Sequence, residues 1–218
     1  MLPLPIAALF LIAVNAIPLF GVLFFGWSLF SIMFLYWLEN GIIGFFNVFK
    51  IALARASGPS RFTINGRSVS PSNKGIRTIF FILHYGLFWT VHGIFVFVFF
   101  GLNSPSGLFS GVGLRGVAIA AAALFLSHGV SFFVNFLGKE EYLTVSPDQQ
   151  MIEPYSRVVV LHVTILAGGA LIDSLGAPVA ALVLLVVLKT AMDLLAHLRE
   201  HRKAERRSSH PANLLRGG

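Results

Sequence analysis

Residues 36–50 read YWLENGIIGFFNVFK, and Glu39 within them is the only charged side chain among the first 49 residues. The apolar run that holds it extends from about residue 27 to 50, and at ~1.5 Å rise per residue a helix of that length crosses the ~30 Å hydrocarbon core of a bilayer. A carboxylate at the centre of such a helix costs ~3 kcal/mol on insertion scales, so it is expected to be protonated, paired with a cation, or coordinating one. Asn40 and Asn47, one and two turns away, are expected to extend its network, while Gly41 and Gly44 favour close approach of a second helix.

Working outward, the whole chain has the same character. Of 218 residues 56% are hydrophobic and 11% charged, with 22 Phe, and the mean hydropathy is +0.81. Those values place it in the polytopic membrane class rather than among soluble domains. Cysteine is absent, which excludes disulfides, thiolate metal sites and thiol nucleophiles. Any metal ligand must therefore be nitrogen or oxygen. The start, Met1 to Phe25, lacks a basic leader region and a small-residue cleavage site, and is read as a retained first helix.

Six segments reach spanning length, at about 4–25, 27–50, 77–101, 115–138, 157–175 and 178–199. The expected fold is thus an all-α, polytopic membrane bundle of six transmembrane helices, one domain over residues 1–201, followed by a basic tail at 202–218. The basic residues fall in two blocks. One is Lys50, Arg55, Arg61, Arg67, Lys74 and Arg77; the other is Arg199, Arg202, Lys203, Arg206, Arg207 and Arg216. Both flank spans, so they read as cytoplasmic topology signals that put both termini inside, rather than as a nucleic-acid footprint. Anionic headgroups are the partners expected at the basic loop and tail. The 55–75 loop, rich in Gly, Pro, Ser and Asn, is expected to be weakly ordered. The linker GKEEYLTVSPDQQMIEPYSR (138–157) mixes charge with interfacial aromatics and is expected to lie along the inner surface. No fixed-period repeat and no separate soluble domain stand out.

Ionisable residues recur inside the spans. Counted from the inner ends, His84, His162 and Asp193 lie ~8–10 Å deep, and Glu39, His128 and Lys189 ~15 Å deep, while His92 sits further out. In FFILHYGLFWTVHGIF (80–95) His84 and His92 are eight apart, ~80° around the axis, and need not share a ligand. In VVLKTAMDLLAHLREH (186–201) Lys189, Asp193, His197 and His201 recur at four-residue steps down one face, with Lys189 a counter-ion for Glu39. Ser127, Ser131, Asn135 and Thr164 are candidate hydrogen bonders beside His128 and His162.

The stretches YWLENGIIGFFNVFK, HYGLFWTVHGIFVF, MIEPYSRVVVLHVTILAGG and LKTAMDLLAHLREH together resemble a family of bacterial integral membrane proteins catalogued only as a domain of unknown function. The resemblance runs to about residue 201 and implies an architecture but no activity. Phe80 to His84 and Phe88 to His92 also match the F-x-x-x-H pattern of intramembrane prenyl-protein metalloproteases. The E-E-x-x-x-R motif of those enzymes is missing, because the residue at its Arg position after Glu140 and Glu141 is Val145.

Three functions follow from these residues. The first is a divalent-metal site (Zn, Fe or Mn) held by His84, His128, His162, Asp193 and Glu39, acting on a lipid or quinone. Asn40, His92, Asn135, Lys189 and His197 would support that site or relay protons. The second is a proton-coupled carrier or channel using the same residues without metal. The third is a non-catalytic membrane subunit whose polar groups fix helix register. No residue is assigned a catalytic step.

Overall fold

A computed structural model describes residues 15, 17–56, 63–64, 67–68, 73–102, 107–175, 179–180, 182–192 and 194–195. The described residues are helical almost throughout. Residues 17–25 form α1, Leu29–Leu53 α2, Lys74–Phe95 α3, Gly113–Ser131 α4, Pro147–Ile152 α5, Tyr155–Leu175 α6 and Leu182–Met192 α7. Among the described residues, three helical runs are long and apolar enough to cross a membrane: Leu29–Leu53, Lys74–Gly101 and Gly113–Leu137. They coincide with the second, third and fourth expected spans.

Helix α2 is the axis of the bundle and packs on α3, α4, α5 and α6. It starts where Ser28 accepts from the Ser31 amide at 3.1 Å and its hydroxyl donates to the Leu108 carbonyl at 2.6 Å, tying this end to the turn before α4. In that turn Gly111 has φ +75° and packs on the Gly26 carbonyl, so a side chain there would meet backbone. At its other end the Arg55 and Ala56 amides donate to the Tyr142 and Val145 carbonyls at 2.7 and 3.1 Å. The C-terminal end of α2, the start of α3 and the 138–154 linker therefore share one end of the bundle.

α3 runs back along α2 through a reciprocal tryptophan pair. Trp37 Nε1 donates to the Trp89 carbonyl at 2.7 Å and Trp89 Nε1 to the Trp37 carbonyl at 3.0 Å, with the rings stacked 4.4 Å apart. Gly41 and Gly93 make room for them. A Cβ on either would come within 2.7 Å of the opposite indole. The small residues read as a backbone contact surface thus admit aromatic rings instead. Buried Phe30, Met33, Val96, Phe100, Ile165 and Leu182 form the main core, where α2 and the end of α3 meet α6 and α7.

α3 and α4 both widen one turn after a His-Gly pair, His92-Gly93 and His128-Gly129. Val96–Gly101 and Phe132–Leu137 are π-helical, and at each junction one amide is shared between the His and Gly carbonyls. The extra residue per turn brings Val96, Phe100, Phe132 and Phe136 inward. On the outer faces Leu83, Ile119, Leu126 and Phe133 are more than 60% exposed. A surface this apolar is what a lipid-facing bundle presents.

Two connecting segments carry structure of their own. The 138–157 linker does not merely lie across one end. Ser146 and Gln149 form a capping box that starts α5, and Pro147, Asp148, Gln150 and Met151 are buried against the bundle. There Asp148 pairs with Arg77 at 2.6 Å, and the Asn47 amide donates to the Gln150 carbonyl at 2.8 Å. Arg77, counted above among the loop cations, has an exposure of 0%. Within the 55–75 loop, Thr63–Ile64 pairs antiparallel with Arg67–Ser68. The first part of the 4–25 span, the end of the 178–199 span and the 202–218 tail lie outside the described residues.

Candidate functional site

Four helices deliver charge to one point. Glu39 lies near the middle of α2, and its Oε2 is 3.5 Å from Lys189 Nζ on α7. Its Oε1 is 3.6 Å from His128 Nε2 on α4 and 3.7 Å from Arg157 Nη1 on α6. The carboxylate is 14% exposed and its three partners 28–32%. Among the described residues, then, one acid answers two permanent cations and a histidine. At 3.5–3.7 Å these are ion pairs at the outer limit of hydrogen bonding, each weaker in geometry than a bidentate lock. Lys189 is held a second time, 5.2 Å over the ring of Tyr36, one turn before Glu39.

The cluster borders a cavity of about 220 Å³. Glu39 and Lys189 supply its charge, and Trp27, Leu35, Leu124 and Leu185 are among the residues that make it apolar. Arg157 had no role in the sequence reading, because it sits two residues into α6 and was counted with the linker. A signal was present nonetheless: an Arg at a span end can extend its side chain several ångströms along the helix toward a buried acid.

The other described histidines, His84, His92 and His162, do not join this cluster. His84 Nδ1 meets the Tyr155 hydroxyl at 2.7 Å, and its ring stacks between Phe80 and Phe88. His92 Nδ1 donates to the Phe88 carbonyl at 2.6 Å, and its Nε2 faces His162 Nδ1 at 3.0 Å. His84 and His92, expected on different faces of α3, thus both turn to α6, where Tyr155 and His162 are two turns apart.

The amides expected around Glu39 and His128 also go elsewhere. Asn40 donates to the Tyr36 carbonyl at 2.8 Å, and its Oδ1 is buried without a hydrogen-bond partner among the described residues. Asn135 approaches Ser131 Oγ at 3.4 Å, and Thr164 bonds the Val160 carbonyl at 2.8 Å. Asp193, His197 and His201 lie outside the described residues.

Among the described residues no three His, Asp or Glu side chains form a group able to hold a metal ion. At Glu39 the electrostatics also oppose one, since Lys189 and Arg157 place positive charge where a divalent ion would bind.

A family model described as "Family of unknown function (DUF6498)" matches residues 3–210. No curated protein and no solved structure matches the chain. The chain belongs to this uncharacterised family, and membership transfers no activity to any of its residues.

Proposed function

We propose that this chain is a six-span protein of a bacterial inner membrane, with both termini cytoplasmic, acting as a proton-coupled carrier or channel centred on Glu39. One observation carries the reading. A single mid-helix carboxylate is shared by Lys189, Arg157 and His128 from three other helices, at the edge of a cavity.

With Glu39 ionised, its charge holds the cations inward. A proton added to a Glu39 carboxyl oxygen cancels that attraction and leaves Lys189 and Arg157 free to engage an anionic group in the cavity. Loss of the proton restores the carboxylate, which competes that group away. The proton and the anion therefore occupy the centre together, the arrangement a coupled carrier needs. Intramembrane acids and bases in such series mark ion pathways, which supports this use over a purely architectural one. The basic loop and tail flank the spans and suit anionic headgroups on the same inner side.

Purified protein in liposomes, with a pH-sensitive dye inside and an imposed proton gradient, tests the reading. Wild type is expected to conduct protons and Glu39→Asp to retain flux, while Glu39→Gln loses it about tenfold or more. Flux unchanged in Glu39→Gln, with the protein folded, would refute the proposal.

A further inference from the structure

We propose that His162 Nε2 is a lipid-accessible acceptor site for the hydroxyl of a membrane-soluble amphiphile, with a long-chain quinol or alcohol as the ligand class. The proposal starts from hydrogen-bond polarity. The Phe88 carbonyl can only accept, so the 2.6 Å contact fixes a proton on His92 Nδ1. Neutral His92 then carries a lone pair on Nε2, and the 3.0 Å contact requires His162 Nδ1 to donate. The proton on His162 is thereby assigned, and its Nε2 is left as a pure acceptor. Among the described residues nothing bonds that nitrogen.

Placement gives the acceptor its use. His92 is buried at 2% exposure, whereas His162 is exposed beside Val159 and Val163, which are 59% and 42% exposed. His162 lies seven residues into α6, ~10 Å along the helix. In a spanning helix that is hydrocarbon depth, where an imidazole facing outward has no water to satisfy it. A donor that reaches it must be dissolved in the bilayer. A hydroxyl on a long apolar tail has the right polarity, and Phe88, Val159 and Val163 supply apolar contact for its body.

The arrangement is that of an oriented base: one imidazole fixed in tautomer and direction by a second, which is itself fixed by backbone. The inference is independent of the Glu39 reading. Glu39→Gln should bind the ligand as wild type does, so the two proposals fail separately.

The test uses ¹⁵N-histidine-labelled full-length protein in phosphatidylcholine nanodiscs, titrated with decyl-hydroquinone, its dimethyl ether, and dodecanol. Expected is an unprotonated His162 Nε2 whose resonance shifts saturably with decyl-hydroquinone but not with the ether, which has no donor. A response to dodecanol as well would assign the site to hydroxyls in general, and a response to the quinol alone to phenols. His162→Phe should abolish the response. His92→Leu, which releases the tautomer, should weaken it about tenfold. Equal binding of the ether, an Nε2 found protonated in the free protein, or full binding by folded His162→Phe would overturn the inference.

Discussion

Trp37 and Glu39 stand two residues apart on α2, ~200° around its axis, and so address opposite sides of the same turn. On the Trp37 side every polar atom of the pair is answered once: each indole donates to the other's backbone carbonyl, and a glycine lies under each ring. On the Glu39 side one acceptor is divided among three donors, none closer than 3.5 Å. The first arrangement has one satisfactory state and fixes the α2/α3 contact. The second has no single close partner, and whichever of the three groups is removed, two remain. A closed seam and a shared centre thus occupy one helix at one depth.

Substitutions that break close, buried contacts should cost most. Asp148→Asn removes the counter-charge at 2.6 Å from a guanidinium no solvent reaches, and is expected to lower stability by about 3–5 kcal/mol in chemical denaturation of the micellar protein. Gly93→Val drives a side chain into the Trp37 ring; a loss of about 1–3 kcal/mol is expected in the same assay, with proton flux per folded molecule near wild type.

The shared centre should respond more weakly. Lys189→Met leaves Glu39 with Arg157 and His128, and is expected to cost about 1 kcal/mol, while halving flux or worse in liposomes. A loss as large as that of Asp148→Asn would mean that Lys189 is the sole effective partner, and the contrast between the two sides would collapse. Smallest of all, Glu140 holds φ 56° without a stabilising cap contact; Glu140→Gly should raise stability by about 0.5 kcal/mol and leave flux untouched.

Hydropathy located α2, α3 and α4 to within a few residues because twenty-odd apolar residues in succession allow little else. Depth counting brought Glu39 and Lys189 to one level, since rise per residue is a property of the helix alone. Rotation about the axis was less legible. The eight-residue step from His84 to His92 gave two faces of an ideal α-helix, yet both side chains reach α6, through Tyr155 and His162. Apart from Lys189 and Glu39, which share a depth, long-range partners were not legible: Arg77 and Asp148 are 71 residues apart, and neither sequence neighbourhood signals the other. Nor does pattern alone reveal the π turns after His92 and His128, because a Phe-rich stretch has apolar residues at every phase. Arg157 was hidden by its position at a helix end, where a cation is ordinarily a topology signal.

The most direct test is the infrared difference spectrum of the reconstituted protein between neutral and acid pH, compared with that of Glu39→Gln. A protonated-carboxyl component that appears on acidification in wild type and is lost from the variant, above the bands of the eight other acids both share, is the expected result, since it shows a carboxylate that is charged among its cations and takes up a proton. The same component present at neutral pH, or persisting unchanged in Glu39→Gln, would contradict a charge-exchanging centre at Glu39.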